Sequence, residues 1–254
     1  DGNADEEFAR RVRDAIAALE ARGVGFAGLI MDQVLTSDGV YTDPVGFMAP
    51  VREAVREAGG VFIADEVQSG FGRTGTHMWG FDRHGIVPDL VILGKPMGNG
   101  LPIAALVGTE TLLNTYGDTF RYFNTFGGNP VCIAAADAVL DEIERRDVLA
   151  NVVATGALLR QGLDETLAAH GIAATVRGTG LIAGGDLTNA RESVAESKEL
   201  VGAIVNGLRE RGVLISSTGP RGTVLKVRPP LIFQSEHVSR LLAALDDTFT
   251  HLAS

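Results

Sequence analysis

Three short apolar runs, Phe26–Met31 (FAGLIM), Val61–Ala64 (VFIA) and Leu90–Leu93 (LVIL), each end in polar residues: Asp32, Asp65 with Glu66, and Lys95 after Gly94. Apolar runs this short, bounded by turn signals, read as strands buried on both faces rather than as helices. Between them the spacing predicts helices. Phe8, Val12, Ala15, Ile16 and Leu19 share one face of a helix over Ala4–Arg22 that ends at Gly23. Pro44 is expected to open a second, running to about Ala58 and stopped by Gly59-Gly60. Strands alternating with helices predict an α/β fold with a mostly parallel sheet. Open sheets of this kind take ligands at the carboxyl ends of their strands. Asp32, Asp65 and Lys95 are therefore expected around one crevice.

The pattern changes in the second half. Asn129-Pro130 opens a helix to about Arg146, and helical spacing recurs over 148–170, 193–211 and 236–252. Residues 175–186 read as strand-turn-strand, with further strands at Val213–Ser216 and Val224–Val227. Gly178-Thr179-Gly180 is not followed by a helix, so it reads as a hairpin and not a nucleotide loop. These features predict a smaller α+β domain over 148–254, after a sheet domain over 1–147.

Charge narrows the function. The formal net charge is −10, which argues against nucleic-acid and anionic-membrane partners because both need a basic footprint. No apolar run approaches the roughly 20 residues of a membrane-spanning helix. The single cysteine, Cys132, excludes an internal disulfide and fits a reducing, cytoplasmic compartment. His77, His84, His170, His237 and His251 are too scattered for a metal cluster, so no metal site is expected. Cys132 reads as a small core residue and Trp79 as a packing residue.

Lysine occurs only at Lys95, Lys198 and Lys226. Lys95 falls between an apolar strand and a glycine-rich loop, PMGNG, where desolvation would lower its pKa and make it a nucleophile or general base. Asp65 and Glu66 stand where a buried strand meets the loop VQSGFGRTG. Such carboxylates cap a turn, or hold a cation or a protonated ring nitrogen. A lysine and a carboxylate at neighbouring strand ends suggest pyridoxal phosphate chemistry.

The motifs IADEVQSGFGRTG, PDLVILGKPMGNGLPIA and FNTFGGNPV, in this order, resemble those of the class III aminotransferases, pyridoxal-phosphate enzymes of fold type I. Thirty residues separate Asp65 from Lys95, and thirty separate Lys95 from Thr125. The resemblance implies that Lys95 forms the internal aldimine and shuttles the substrate proton. It implies that Asp65 keeps the pyridine nitrogen protonated, Val67 packs on the ring and Gln68 reaches the phenolic oxygen. Thr125 would bind the cofactor phosphate of a neighbouring subunit, hence a homodimer. Arg73 is a further candidate for phosphate or subunit contacts. The activity implied is transfer of an amino group between an amine or amino acid and a 2-oxo acid.

Two departures qualify the likeness. The family chain extends further at its N-terminus, so this chain is expected to be a C-terminal portion that holds the cofactor poorly alone or serves only as a dimerisation module. On the substrate side, TVLKVRPPLIF places Lys226 where many relatives carry a carboxylate-binding arginine, with Arg228 two residues on. Asp32-Gln33-Val34-Leu35 replaces the family's Glu-Pro-Val-Gln. GKPMGNG with LKVRPPL looks more like the alanine–glyoxylate aminotransferase 2-like branch. That branch includes phospholyases, which eliminate phosphate and ammonia from phosphorylated amines.

Overall fold

The computed structural model describes residues 4–252. They form two compact units. The first comprises 4–33, Asp43–Phe71 and His77–Arg146; the second comprises Val34–Thr42, Gly72–Thr76 and the residues from Asp147 onward.

In the first unit, strands β1 (Gly28–Asp32), β2 (Val61–Asp65), β3 (Leu90–Leu93) and β4 (Ala105–Gly108) form one sheet in the order β1-β2-β3-β4. The first three are parallel and β4 runs antiparallel to β3. Alternation along β2 buries Phe62 and Ala64 fully and leaves Val61, Ile63 and Asp65 half-buried on the other face. Helices α1 (Ala4–Ala21) and α2 (Ala49–Glu57) pack on each other, and α2 packs on β2. Val51, Ala54 and Val55 supply the buried face of α2. Helices α3 (Glu110–Thr119) and α4 (Pro130–Arg145) complete the unit.

The second unit is an antiparallel sheet in the order β5-β6-β8-β7, built from β5 (Thr175–Thr179), β6 (Ile182–Asp186), β7 (Ser216–Thr218) and β8 (Val224–Val227). Its helices are α5 (Val148–Ala169), α6 (Val194–Glu210) and α7 (Ser235–Leu252). A capping box between Ser193 and Glu196 starts α6. Val34, Val40 and Ile182 are fully buried together, which makes the 34–42 segment part of this core. Arg177 reinforces it: Nε donates to Gly39 O and Val40 O at 3.0 Å, and the guanidinium lies over the Tyr41 ring at 4.3 Å.

Segment 72–76 is held in the same way. Nη1 of Arg73 donates to Leu181 O (2.8 Å) and Pro229 O (2.6 Å), while Leu181 N–H donates to Arg73 O (3.2 Å). Burial, with the neighbouring Arg228, lowers the Arg73 pKa to about 10. Gly180, at φ +50°, turns the hairpin beneath Arg73 O, where a side chain would collide. Arg73 is thus a staple between the β5–β6 turn and the chain after β8, not a surface group.

Four elements depart from the sequence reading. Pro44 does not open a helix: Gly46 at φ +90° cannot be helical, and α2 begins at Ala49, next to Pro50. The strand read at Val213–Ser216 lies at Ser216–Thr218, because Val213 N–H still caps α6 by donating to Leu208 O (2.9 Å). Strand β4 and helix α3 were not anticipated. Cys132 is half-buried on α4 and does not sit in the core.

Arg73→Ala is expected to lower the unfolding free energy by about 2–3 kcal/mol, through loss of two charge-assisted hydrogen bonds from a buried donor. Urea unfolding measures it, and Arg73→Lys should recover less than half.

Candidate active site

The parallel register assembles the site. Asp32 of β1 is the Cα partner of Asp65, and Asp65 is the partner of Ile92 on β3. Residues paired in register share a face, so Asp32 and Asp65 project on the same side, with Ile30 and Ile63. Glu66 N–H continues the ladder by donating to Ile92 O (3.0 Å). Three residues beyond Ile92 the chain enters a 3-10 turn, Lys95–Gly98. The backbone positions of Asp32, Asp65 and Lys95 therefore lie at the same end of the sheet.

Asp65 is held locally. Its Oδ1 accepts from Val67 N–H at 2.9 Å, an Asx-type turn that fixes the carboxylate. A Cβ placed on Gly94 would lie 3.6 Å from Val67 Cγ2, so the Val67 side chain borders the residue preceding Lys95. Gln68 follows, half-buried, on the same turn. Lys95 has φ +35°, a left-handed conformation that costs a side-chain-bearing residue about 1–2 kcal/mol. Strain of this kind collects at functional positions. The Lys95 side chain is exposed, which corrects the desolvation expected from its glycine-rich setting. The following Asn99, Gly100 and Leu101 also face outward.

Thr125 belongs to a different segment, between α3 and α4. Asn124 Oδ1 accepts from Phe126 N–H (3.1 Å) and Gly127 N–H (3.0 Å), and Asn129 Oδ1 caps α4 through Val131 N–H (3.0 Å). These turns present Thr125 on an exposed loop, and α4 packs against the Lys95–Gly98 turn. Trp79 packs edge-on against Phe71, with ring centroids 5.1 Å apart.

The chain matches the model of the class III aminotransferases over residues 2–249. It belongs to the class III aminotransferase family. A class III relative, an alanine–glyoxylate aminotransferase 2-like protein of Drosophila melanogaster, is 36% identical over 245 residues, covering 96% of this chain and 50% of its own. An ethanolamine-phosphate phospho-lyase homolog of Caenorhabditis elegans is 32% identical, covering 97% of this chain and 54% of its own. The chain thus spans about half the length of the curated relatives it matches. Among solved structures, a phospholyase from Arthrobacter in complex with phosphoethanolamine superposes with a TM-score of 0.90 at 42% identity, covering 97% of this chain and 58% of that one. A Bacillus anthracis aminotransferase does so with a TM-score of 0.85 at 27% identity, covering 96% and 56%. The architecture is that of the fold type I transaminases.

Beside Asp65 the sequence reading named Glu66 too, as a turn cap or a site carboxylate, and the structure places it in the interior. Glu66 is fully buried. Its Oε2 accepts from Ser69 Oγ and Gly80 N–H, and its Oε1 from Phe81 N–H, all at 2.8 Å. Burial pushes the Glu66 carboxyl up to about 7 against these three donors, and the charge of Asp32 adds to the rise. The sequence signals its place at the end of a buried strand but not the burial or the donors from Gly80 and Phe81.

That raised value makes stability depend on pH. In the unfolded chain Glu66 releases its proton near 4.5, whereas in the fold it holds it to about 7. The stabilisation is therefore complete below 4.5 and lost as pH rises through 7, by about 3 kcal/mol. Glu66→Gln, which does not titrate, should gain about that much relative to the parent between pH 4.5 and 8, as read by unfolding at each pH. A constant difference across that range contradicts the buried, protonatable carboxyl.

Proposed function

We propose that this chain carries the lysine and the ring-binding carboxylate of a pyridoxal-phosphate-dependent aminotransferase. The reaction moves an amino group between an amine or amino acid and a 2-oxo acid. The observation that carries this reading is the register that sets Asp65 and the strained Lys95 turn at the same end of neighbouring parallel strands. Family membership supports it.

The residues present fit the cofactor by their chemistry. Asp65 offers a carboxylate with Oδ1 fixed by Val67 N–H and Oδ2 turned to no protein donor among the described residues. Lys95 offers an exposed amine, Val67 an apolar side chain beside Gly94, and Gln68 an amide. Pyridoxal phosphate, when bound, supplies an aldehyde that condenses with amines and a ring that takes up the electron pair left when a substrate C–H bond breaks. Lys95 Nζ would hold the cofactor at its aldehyde carbon and, once released by substrate, move a proton between the substrate α-carbon and that same carbon. Asp65 would hold the ring nitrogen protonated, which strengthens the ring as an electron acceptor. Val67 would pack on the ring face, and Gln68 would donate to the phenolic oxygen. Thr125 would offer its hydroxyl to the phosphate held by a second copy, so the working form is a homodimer.

A second reading is elimination of phosphate and ammonia from a phosphorylated amine. It is favoured by the Arthrobacter phospholyase, 42% identical where the transaminase structures compared stand at 26–30%, and by Lys226 in place of an arginine. Lys95 and Asp65 would serve both reactions.

Adding pyridoxal phosphate to the purified protein should give a new visible absorbance band that borohydride removes and Lys95→Ala lacks. Asp65→Asn should cut turnover by about 100-fold or more. Measuring amino transfer beside release of ammonia and phosphate separates the two reactions. A protein with no such band, with or without Lys95, means that this chain alone does not hold the cofactor, and the dimerisation-module reading then takes over.

A further inference from the structure

A chain of buried polar groups runs beneath the ends of β1 and β2 and takes no part in the chemistry above. Each strand-end aspartate is followed by a fully buried polar residue, Gln33 after Asp32 and Glu66 after Asp65. Both are tied to the 3-10 turn Phe81–His84. At its start, Gly80 N–H and Phe81 N–H donate to Glu66. At its end, His84 Nε2 meets Gln33 O at 2.8 Å. Gly46 N–H donates to His84 Nδ1 (3.2 Å), so Nε2 is the protonated nitrogen and donates to Gln33 O. The His84 ring is buried edge-on to Phe47, with centroids 4.7 Å apart.

Gly80 closes the arrangement. A Cβ there would lie 2.6 Å from Ser69 Cβ and 2.9 Å from Gln33 Cβ, so the turn passes between the loops that follow the two strands with no room for a side chain. Asp65 Oδ1 is aligned by Val67 N–H, and Val67 is bonded to Glu66. A displacement of Glu66 is thereby a displacement of the donor that orients Asp65.

We propose that the Phe81–His84 turn is a brace that sets the two strand-end aspartates relative to each other, with Glu66 and His84 as positioning residues for Asp65. The role of Asp65 toward the cofactor rests on the reading under Proposed function; the brace itself is read from the hydrogen bonds alone.

Amide hydrogen exchange at Val67 in the full chain, without cofactor, reads the brace directly. His84→Asn keeps an acceptor for Gly46 N–H but withdraws the donor from Gln33 O, and should quicken Val67 exchange about tenfold, the equivalent of one hydrogen bond. His84→Gln, which restores an N–H at the distance of Nε2, should return most of the protection. Amides of β6 should be unchanged in both. Should His84→Asn fail to fold, Ser69→Ala removes one donor from Glu66 and is expected to quicken Val67 in the same direction. A folded variant in which Gly80 and Phe81 exchange faster while Val67 does not overturns the brace. The dissociation constant for pyridoxal phosphate should rise about tenfold in His84→Asn and recover in His84→Gln. If the parent binds no pyridoxal phosphate while Val67 still responds, this chain alone does not hold the cofactor and the brace stands.

Discussion

Parallel pairing is the constraint on which the rest of this structure depends. Because β1, β2 and β3 run the same way, their carboxyl ends fall on one edge, and residues far apart in sequence become neighbours. The register then decides which side chains meet. With Asp32 level with Asp65, and Asp65 level with Ile92, a carboxylate stands beside the strand from which Lys95 departs. A slip of one residue would send Asp65 to the face of Phe62 and Ala64, into the core. The apolar side chains of β2 therefore place the carboxylate as surely as any bond to it does.

The loops leaving those strands face the opposite difficulty, since they must turn sharply while burying polar atoms. Glu66 and His84 solve it at some expense in stability, and their titrations act in opposite senses. Glu66 holds its proton in the fold to about 7, so its contribution fades as pH rises from 4.5. His84, whose pKa burial pulls below 6.5, is taken up more readily by protons in the unfolded chain, so its contribution fades as pH falls through 6.5 toward the folded value. No pH therefore gives both contributions in full, since that of Glu66 is complete only below 4.5 and that of His84 only above 6.5. The hydrogen bonds they accept and donate specify the loop geometry more than they stabilise it.

The strands and their polar ends were legible because a buried parallel strand needs continuous apolar residues and stops where they stop. Asp65 and Lys95 follow from that rule without any knowledge of three dimensions. Helix boundaries marked by caps were legible as well: Asn129 before Pro130 and Ser193 before α6 both carry the bonds their residue types suggest. What stayed hidden was non-local. Segments 34–42 and 72–76 pack with residues more than 100 positions away, such as Arg177 and Leu181, and no spacing rule reports that. The Glu66–His84–Gln33 network has the same character. The exposure of Lys95 escaped for another reason, since a glycine-rich loop looks alike in sequence whether it turns inward or outward.

Lys95 itself shows how backbone and side chain disagree at such a position. The residue before a proline is pushed toward extended conformations, yet Lys95, ahead of Pro96, is held at φ +35°. Glycine would meet that backbone demand at far less strain, as it does at Gly100, at φ +109°. A lysine here weakens the local fold, and no hydrogen bond or ion pair of its side chain within the described residues offsets the strain. The proposed reading, in which the amine serves chemistry beyond folding, accounts for a lysine at this strained position even where its side chain is open to solvent.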